Sequence, residues 1–402
     1  MKSQIPNSKS TIVIVGAGPS GTSLAIRLAL QDFEVTLIER ESFPRHKLCG
    51  EFISPECLSH FEDLGVLDSM ISAGGARITE TRFYAPGGRS FRVSSGSFHG
   101  QGFALSLSRA EMDMRLLDRA KSLGVAVFED TAANAVSLSG DRIVKLTARR
   151  GNGERFEISA DLYVDATGRS RVLSKLITKN EGGRNGRSAA NKSLCVGFKS
   201  HLKGANVGKG TCEIYLFPGG YGGLSPIEDG LANLCFMVKS SVAREFGGDA
   251  DKIVENLVIR NKRAAETLRE VEPVRDWIAV SIDSFGRAGL NRAANLLSIG
   301  DSAAFVDPFT GSGMLMAFES SALLAETIIL NQHSPEAITD SYHTKYDQKF
   351  ARRLRICSVL RRAALVPYLP ALAISLLNAS KRGRAFLADS TRSPKLKWPK
   401  AR

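Results

Sequence analysis

The sequence predicts an α/β fold in which an antiparallel sheet is inserted into a parallel sheet covered by helices. Residues 11–15 form a short β-branched run that ends in glycines, which is typical of a buried parallel strand. Residues 159–165 and 295–300 have the character of two further buried strands, far apart in the chain. Between about residues 194 and 238 several short strands follow one another without long helices, which favours an antiparallel insertion.

The other elements follow from hydrophobic periodicity and turn signals. Residues 20–31 have the apolar spacing of a helix, and residues 34–38 form the next strand, which completes a βαβ unit. A hairpin is predicted over residues 81–93, around a Pro-Gly-Gly turn. Further helices are predicted over residues 109–123, 249–271 and 313–331, and in the C-terminal segment, where two prolines interrupt the helical pattern: Pro367 and Pro370.

Composition indicates a soluble enzyme of two intermingled domains. The chain has 402 residues, of which 43% are hydrophobic and 24% charged. The polar residues 1–10 have no apolar core, so no signal peptide is expected, and no membrane span is expected either. The six cysteines show neither zinc nor disulfide spacing, which predicts a reducing cytoplasmic location and no metal site.

The net charge of +13 lies entirely in the last 58 residues. From Lys345 onward there are 15 Lys or Arg against two acids, whereas residues 1–344 balance to zero. Bases flank an apolar stretch of 15 residues that is too short and too broken by proline to cross a bilayer. Three interpretations remain open: a helical cap, peripheral contact with the inner membrane face, or docking of an acidic partner such as an acyl carrier protein. No nucleic-acid motif accompanies the charge, so nucleic acid is not an expected partner.

A glycine-rich turn joins the first strand to the first helix. Gly16-Ala-Gly18-Pro19-Ser20-Gly21 has the G-x-G-x-x-G spacing. The first glycine permits the tight turn, the second lets a pyrophosphate touch the backbone, and the third lets the helix pack closely on the strand. The helix N-terminus offers free N–H groups and a partial positive charge to the phosphates.

An acid ends the second strand of this unit. Glu39, followed by Arg40, stands 21 residues after Gly18, where a carboxylate accepts hydrogen bonds from both ribose hydroxyls. Strand, helix, second strand and acid together predict dinucleotide binding, but they do not separate FAD from NAD.

Two later segments carry a family resemblance. The first contains Asp165-Ala-Thr-Gly168, and the second runs from Gly300-Asp301 to Gly313-Met314. Together with the glycine-rich turn they resemble the three fingerprints of the group A flavoprotein hydroxylase superfamily, over residues 11 to about 331. The resemblance implies a Rossmann-type FAD-binding domain, similar to that of p-hydroxybenzoate hydroxylase, with an inserted antiparallel β-sheet substrate domain and C-terminal helices.

The resemblance also implies roles for residues at the flavin. Asp301 would bond the ribityl chain, Arg109 would lie near the FAD phosphates, and the turn before the Gly313 helix would present N–H groups to the N1/C2=O edge. The start of a helix stabilises the negative charge that reduced flavin carries near N1. For Arg109 the alternative is a surface arginine in the first turn of a helix. The predicted cofactor-binding residues are Gly16, Gly18, Pro19, Ser20, Gly21, Glu39, Arg40, Arg45, Arg109, Asp165, Gly168, Gly300, Asp301, Pro308, Gly311, Ser312, Gly313 and Met314.

Residues 43–51 resemble a segment shared by geranylgeranyl-reductase-like enzymes and flavin halogenases. The Cys49-Gly50-Glu51 triplet leans towards the reductase branch, in which this loop passes close to the flavin. Arg45 would then lie near FAD and Cys49 near the active cavity; the alternative for Cys49 is a small buried apolar residue.

A segment starting at Tyr221 resembles the sheet that forms the wall of the family's substrate cavity. Related halogenases carry two tryptophans in that region, whereas the only tryptophans here are Trp277 and Trp398, which disfavours halogenation. The predicted catalytic residues are Cys49, Arg45 and Tyr221.

The domain prediction follows from these elements. Residues 1–75, 100–175 and 276–332 are assigned to a discontinuous FAD-binding domain, residues 76–99 and 176–275 to the substrate-binding sheet domain, and residues 333–402 to the basic C-terminal helical segment.

Two reactions remain open for such a flavoprotein. The favoured one is NAD(P)H-dependent monooxygenation, in which a flavin C4a-hydroperoxide hydroxylates an aromatic or polyketide-like lipophilic substrate. The alternative is reduction of prenyl double bonds, with Cys49 as the proton donor. Halogenation and a non-enzymatic flavoprotein are less favoured. Since the chain has no second G-x-G-x-x-G, an NADPH or NADH donor must bind without a domain of its own.

Overall fold

The computed structural model describes residues 10–98, 100–180, 193–288, 293–332 and 334–364. The basic C-terminal segment, for which membrane or carrier-protein contact is predicted, lies mostly outside these residues. The predicted interruption at Pro367 and Pro370 lies wholly outside them.

Short strands make up two large sheets and three small ones. The strands are β1 Ile12–Val15, β2 Val35–Ile38, β3 Phe52–Ile53, β4 Ala76–Ile78, β5 Glu80–Tyr84, β6 Ser90–Ser94, β7 Ala104–Ser106, β8 Ala126–Phe128, β9 Thr131–Ser139, β10 Arg142–Arg150, β11 Arg155–Ile158, β12 Leu162–Asp165, β13 Cys195–Lys203, β14 Thr211–Phe217, β15 Gly220–Pro226, β16 Ala232–Lys239, β17 Glu272–Pro273, β18 Ile278–Ile282, β19 Gly286–Arg287, β20 Leu296–Ser298 and β21 Ala304–Phe305.

The α-helices of the described residues vary from one and a half turns to more than eight. They are α1 Pro19–Ala29, α2 Pro55–Asp63, α3 Leu67–Ser72, α4 Arg109–Ser122, α5 Val172–Asn180, α6 Ser240–Glu245, α7 Ala250–Asn256, α8 Lys262–Thr267, α9 Gly313–Leu330 and α10 Pro335–Ala364.

A five-stranded parallel sheet forms the centre of the FAD-binding region, in the order β20-β12-β1-β2-β8. All four residues of β1 are buried because both faces of the sheet are covered, which explains the uninterrupted apolar run in the sequence. Ile12 and Ile14 pack among α1, α4 and α9, whereas Val13 and Val15 pack with α5 and the β9–β10 hairpin. The predicted βαβ unit and the returning strands are confirmed.

The inserted sheet has eight strands and is antiparallel except for one pair. Its path is β17-β13-β16-β15-β14-β5-β6, and β18 pairs with β13. The predicted hairpin is confirmed as β5 and β6, but β5 joins β14 in parallel. Residues 276–282 were assigned to the FAD-binding domain, yet β18 hydrogen-bonds to the inserted sheet, so that boundary moves beyond Ile282. Helix α5 packs on the parallel sheet, so the boundary at residue 175 moves to the end of α5.

The single helix predicted over residues 249–271 is wrong. The chain forms α7 and α8 with a break between them, because the Asn261 side chain accepts from the N–H groups of Arg263 and Ala264 at the start of α8. The same side chain donates to the carbonyls of Tyr84 and Leu216, each at 3.0 Å. Tertiary hydrogen bonds therefore override the helical periodicity.

By length and composition alone, helix α9 could cross a membrane, although no membrane-spanning segment was predicted from the sequence. It is mostly buried inside the protein, which is the usual state of a core helix. Ser23 of α1 and Ser321 of α9 approach to 2.6 Å between their hydroxyl oxygens, so small residues let these two helices pack closely. On its other side α9 meets α10, where Arg353 donates to Glu319 at 2.6 Å.

Candidate active site

Of the three glycines in the glycine-rich turn, Gly16 and Gly21 leave no room for a side chain, whereas Gly18 does. Gly16 has a φ of +106°, and a Cβ there would lie 2.4 Å from the Ala166 carbonyl oxygen. A Cβ on Gly21 would lie 1.9 Å from the Gly16 carbonyl oxygen. A Cβ on Gly18 would meet nothing within 4 Å, and no side chain caps the first turn of α1. The turn of residues 16–21, called the cradle below, thus leaves the Gly18 backbone open to an anionic ligand.

A buried network of two arginines and two acids borders this cradle. Arg45 donates to Asp113 at 2.8 Å and to the Ala17 carbonyl at 3.3 Å, and it lies 3.5 Å from Glu39. Glu39 in turn accepts from the Ala17 N–H at 2.8 Å. Arg109 forms a bidentate pair with Asp113 at 2.7 and 2.8 Å. Arg45 Nε is buried and has no hydrogen-bond partner among the described residues, so a donor remains for a ligand.

Arg109 lies in the protein interior and not on its surface. Burial lowers the pKa of its guanidinium, but Asp113 and Cys49 together raise it by more, so the pKa is above its usual range. This cation stays charged at all relevant pH values. Arg40, in contrast, has a side chain 61% exposed and pairs with Glu41.

The second fingerprint meets the third beside the glycine-rich turn. A Cβ on Gly300, whose φ is +58°, would lie 2.6 Å from the Ser20 hydroxyl oxygen. A Cβ on Gly168 would lie 4.0 Å from that of Asp301. The predicted cofactor-binding segments therefore converge from three distant parts of the chain.

The carboxylate of Asp165 is fully committed to the protein itself. One oxygen accepts from Thr167 N–H and hydroxyl and from the Ser302 hydroxyl, and the other accepts from the N–H groups of Leu173 and Ser174. Direct contact of Asp165 with FAD stays a prediction, whereas its role in holding β12, α5 and the Gly300 turn together is visible.

Asp301 is half-buried and has a perturbed acidity. Burial raises its pKa from the ordinary 3.8 to about 6, against the opposing charges of Arg169, Arg109 and Arg171. Hydrogen-bond donors from a bound ligand would favour the ionised form at this position.

We expect Asp301 to contribute a loss of stability of the FAD-free protein as the pH rises from about 4 to 6, seen as the difference between the unsubstituted protein and Asp301→Asn, because His46 acts in the opposite sense over the same range. The pKa is higher in the folded state, so on raising the pH the unfolded chain loses its proton first and unfolding becomes more favourable. Above about pH 6 this contribution is constant. Urea denaturation at several pH values checks this, with Asp301→Asn as the comparison. The same pH dependence in both proteins would contradict this prediction.

A turn from Asp307 to Met314 joins the Gly300 segment to α9. Gly311 has a φ of +58°, and a Cβ there would stand 3.7 Å from the Phe52 ring. The side chain of Ser312, the N-cap residue of α9, makes no capping hydrogen bond among the described residues, and a Cβ on Gly313 would meet nothing within 4 Å. Gly311, Gly313 and Met314 are half-buried, Ser312 is buried and Pro308 is exposed. This geometry fits a flavin edge held by backbone N–H groups.

Tyr221 connects the inserted sheet to this turn. Its buried hydroxyl donates to Asp307 at 2.5 Å, and its ring meets Phe309 edge-on at 5.1 Å between centroids. Burial, with the charge of Asp307, raises the pKa of Tyr221 well above 10, so it is a neutral donor and not a base near pH 7. A catalytic role for Tyr221 stays a prediction.

The Cys49 loop lies between the two domains. The half-buried Cys49 accepts from the Glu51 N–H at 3.3 Å and lies beside the Arg109 guanidinium. Its carbonyl accepts from Asn233 of β16 at 3.0 Å. The catalytic predictions thus divide: Tyr221 lies on the inserted sheet, Cys49 lies in a loop that the sheet holds, and Arg45 lies beside the glycine-rich turn.

Sequence reasoning missed the buried partners of this loop. Glu51 was noticed only within a triplet, and Lys199, His201 and Asp113 were not singled out. A signal existed for two of them, because Lys199 and His201 alternate on a strand whose intervening residues are apolar or small.

The fold and this site define an FAD-dependent flavoenzyme. The open backbone at Gly18, the unpaired Arg45 Nε and the uncapped start of α9 fit the pyrophosphate and the flavin edge of FAD. A family model described as FAD binding domain matches residues 9–355. The chain belongs to that family and to the group A flavoprotein hydroxylase superfamily, which includes halogenases, monooxygenases and reductases.

Relatives of known activity are distant. Tryptophan 2-halogenase of Chondromyces crocatus is 26% identical over 87% of this chain and 67% of that protein. Digeranylgeranylglycerophospholipid reductase 2 of Methanopyrus kandleri is 24% identical over 86% of this chain and 84% of that protein. Among solved structures, the flavin-dependent brominase Bmp2 superposes with a TM-score of 0.76 at 18% identity, over 95% and 93% of the two chains.

Proposed function

We propose that the protein is an NAD(P)H-dependent monooxygenase that hydroxylates a lipophilic aromatic substrate. The observation that supports this is a cluster of aromatic rings that packs on Phe309 of the Asp307–Met314 turn and beside it. Phe309 meets Phe83 at 6.1 Å, Phe83 stacks on Phe91 at 4.7 Å, and Phe305 stacks on Phe285 at 5.2 Å. Aromatic rings bind an aromatic substrate by edge and face contacts.

The reaction places one oxygen atom of O2 in a C–H bond of the substrate and releases the other as water. NAD(P)H supplies two electrons, and bound FAD supplies the redox chemistry that the side chains lack. The protein would exclude water from the reaction site, so that the activated oxygen is not lost before it reaches the substrate. Tyr221 and Asp307 hold the turn, and Arg45 and Arg109 provide positive charge in the cradle.

Double-bond reduction is the second candidate, and the position of Cys49 favours it. In this candidate reaction the half-buried Cys49 thiol beside Arg109 would donate a proton to carbon, and Phe52, three residues further on, lies next to the Gly311 turn. The similarity to digeranylgeranylglycerophospholipid reductase 2 of Methanopyrus kandleri supports the same candidate. Halogenation, which several relatives perform, has weaker support: Trp277 bonds to Asp251 at 2.8 Å and packs on Phe236, in the core on the opposite face of the inserted sheet from Tyr221.

One mass-spectrometric assay tests the proposal. FAD-loaded protein is incubated with NADPH or NADH, isotopically labelled oxygen gas, bromide, an alkyl phenol and a polyprenyl substrate. We expect the phenol to gain one labelled oxygen atom. A gain of two hydrogens by the polyprenyl compound would replace the proposal with reduction, and bromine in the phenol would replace it with halogenation. Free reduced FAD without protein is the control for uncatalysed oxidation.

A further inference from the structure

One face of the inserted sheet carries a polar platform. On β13, Gly197, Lys199 and His201 occupy alternate positions, so their side chains share a face. On the neighbouring β16, Asn233 pairs with His201 and Cys235 pairs with Lys199. The intervening residues, such as Phe198 and Phe236, form an apolar core on the opposite face.

The loop of residues 47–51 lies across this platform. Leu48 packs on Gly197, where a Cβ would come within 2.7 Å of its methyl carbon. Lys199 donates to the Lys47 carbonyl at 3.2 Å, and Asn233 donates to the Cys49 carbonyl at 3.0 Å. The sheet thus holds the backbone on both sides of Cys49.

Glu51 fixes the far end of this loop. It is fully buried and has a φ of +53°, a left-handed conformation that costs energy for a residue with a side chain. Its carboxylate pairs with Lys199 and accepts from His201 at 2.8 Å and from the Arg109 N–H at 2.8 Å. It therefore ties β13 to the start of α4 through a single residue.

The charges in this cluster compensate one another. Burial raises the pKa of Glu51, but His201 and Lys199 lower it by more, so the carboxylate is ionised. His46, whose ring meets that of His201 edge-on at 5.4 Å, has its pKa lowered to about 4 by burial and by nearby Arg275, Lys199 and His201. A buried ion pair of this kind is costly to break from one side but is well suited to specify one arrangement.

We propose that Lys199 and His201 are positioning residues. From the inserted sheet they hold Glu51, and through it they fix Cys49 beside Arg109 and Phe52 beside the Gly311 turn, where the flavin ring would lie. Neither residue reacts. The cluster makes the geometry of the flavin-facing loop depend on the substrate domain, whichever reaction the flavin performs.

Alkylation of native cysteines tests this in the FAD-loaded protein. Lys199→Met and His201→Gln are treated with iodoacetamide, and each cysteine is followed by peptide mass spectrometry. We expect Cys49 to react on the order of tenfold faster than in the unsubstituted protein, because its segment opens locally more often. Cys235, which pairs with Lys199 across the strands and whose pKa that cation lowers, should not react faster. The visible spectrum of bound FAD should shift in the same variants, since the loop borders its site.

Two further variants make the outcome decisive. Lys203 lies on the same strand with an exposed side chain, so Lys203→Met should leave the alkylation rate of Cys49 and the FAD spectrum unchanged. The double variant Glu51→Gln with Lys199→Met removes both charges of the ion pair, so no buried charge is left unpaired. We expect it to fold even where a single change does not, and to show faster alkylation of Cys49. Folded variants that label Cys49 at the original rate would overturn the proposal. Equal acceleration at Cys49 and Cys235 would also overturn it, because the cluster would then only stabilise the sheet.

Discussion

Gly18→Ala is expected to weaken FAD binding by on the order of 100-fold while leaving the FAD-free protein as stable as before. A loss of that size corresponds to about 2.7 kcal/mol of binding free energy. A Cβ at Gly18 meets no protein atom within 4 Å, and its backbone is extended at φ −75° and ψ −179°, which any residue adopts. The space is instead where a pyrophosphate would touch the backbone. Fluorescence titration with FAD and urea denaturation of the FAD-free protein measure the two quantities.

Gly21→Ala is the matched control, and the opposite result is expected. Its Cβ would stand 1.9 Å from the Gly16 carbonyl oxygen, so α1 cannot keep its position on β1. Both folding and FAD binding should fail. If Gly18→Ala bound FAD with unchanged affinity, the pyrophosphate would not approach that backbone, and the assignment of the cradle would be wrong.

The parts of this fold that the sequence predicts are those with a local cause. A strand buried on both faces needs an uninterrupted apolar run, and a helix beside a pyrophosphate needs glycines at fixed spacing; β1 and the Gly16–Gly21 turn show both. Gly300 lies against Ser20 and Asp301 lies against Gly168, as the prediction that all three fingerprints bind one cofactor requires. Fingerprint segments are predictable because each one is a short continuous stretch of sequence with fixed spacing.

The polar connections between domains were not predictable in the same way. Glu51, Lys199 and His201 meet across about 150 residues of chain, and the pairing of β13 with β16 decides which side chains share a face. A one-residue shift of that register would point Lys199 into the opposite core. The break between α7 and α8 has a similar origin, since the partners of Asn261 lie on β5 and β14. Local periodicity carries no information on such partners.

Asp165→Ala is expected to lower the free energy of unfolding of the FAD-free protein by about 3–5 kcal/mol. The carboxylate is fully buried and accepts five hydrogen bonds, at distances from 2.6 to 3.4 Å. Alanine leaves the buried N–H of Leu173 and the part-buried N–H groups of Thr167 and Ser174 without this acceptor, and a buried donor that loses its partner costs about 1–3 kcal/mol. Urea denaturation measures the change.

Asp161→Ala is the control, since this carboxylate stands before the same strand but is exposed, and it bonds only the N–H and hydroxyl of Thr11 among the described residues. Its removal should cost no more than about 1 kcal/mol. The comparison also decides between two roles for Asp165. If Asp165→Ala kept the stability of the FAD-free protein and only weakened FAD binding, the direct cofactor contact predicted from the sequence would be correct. A large loss of stability instead means that this fingerprint acid serves the cofactor through the fold, by holding β12, α5 and the Gly300 turn in register.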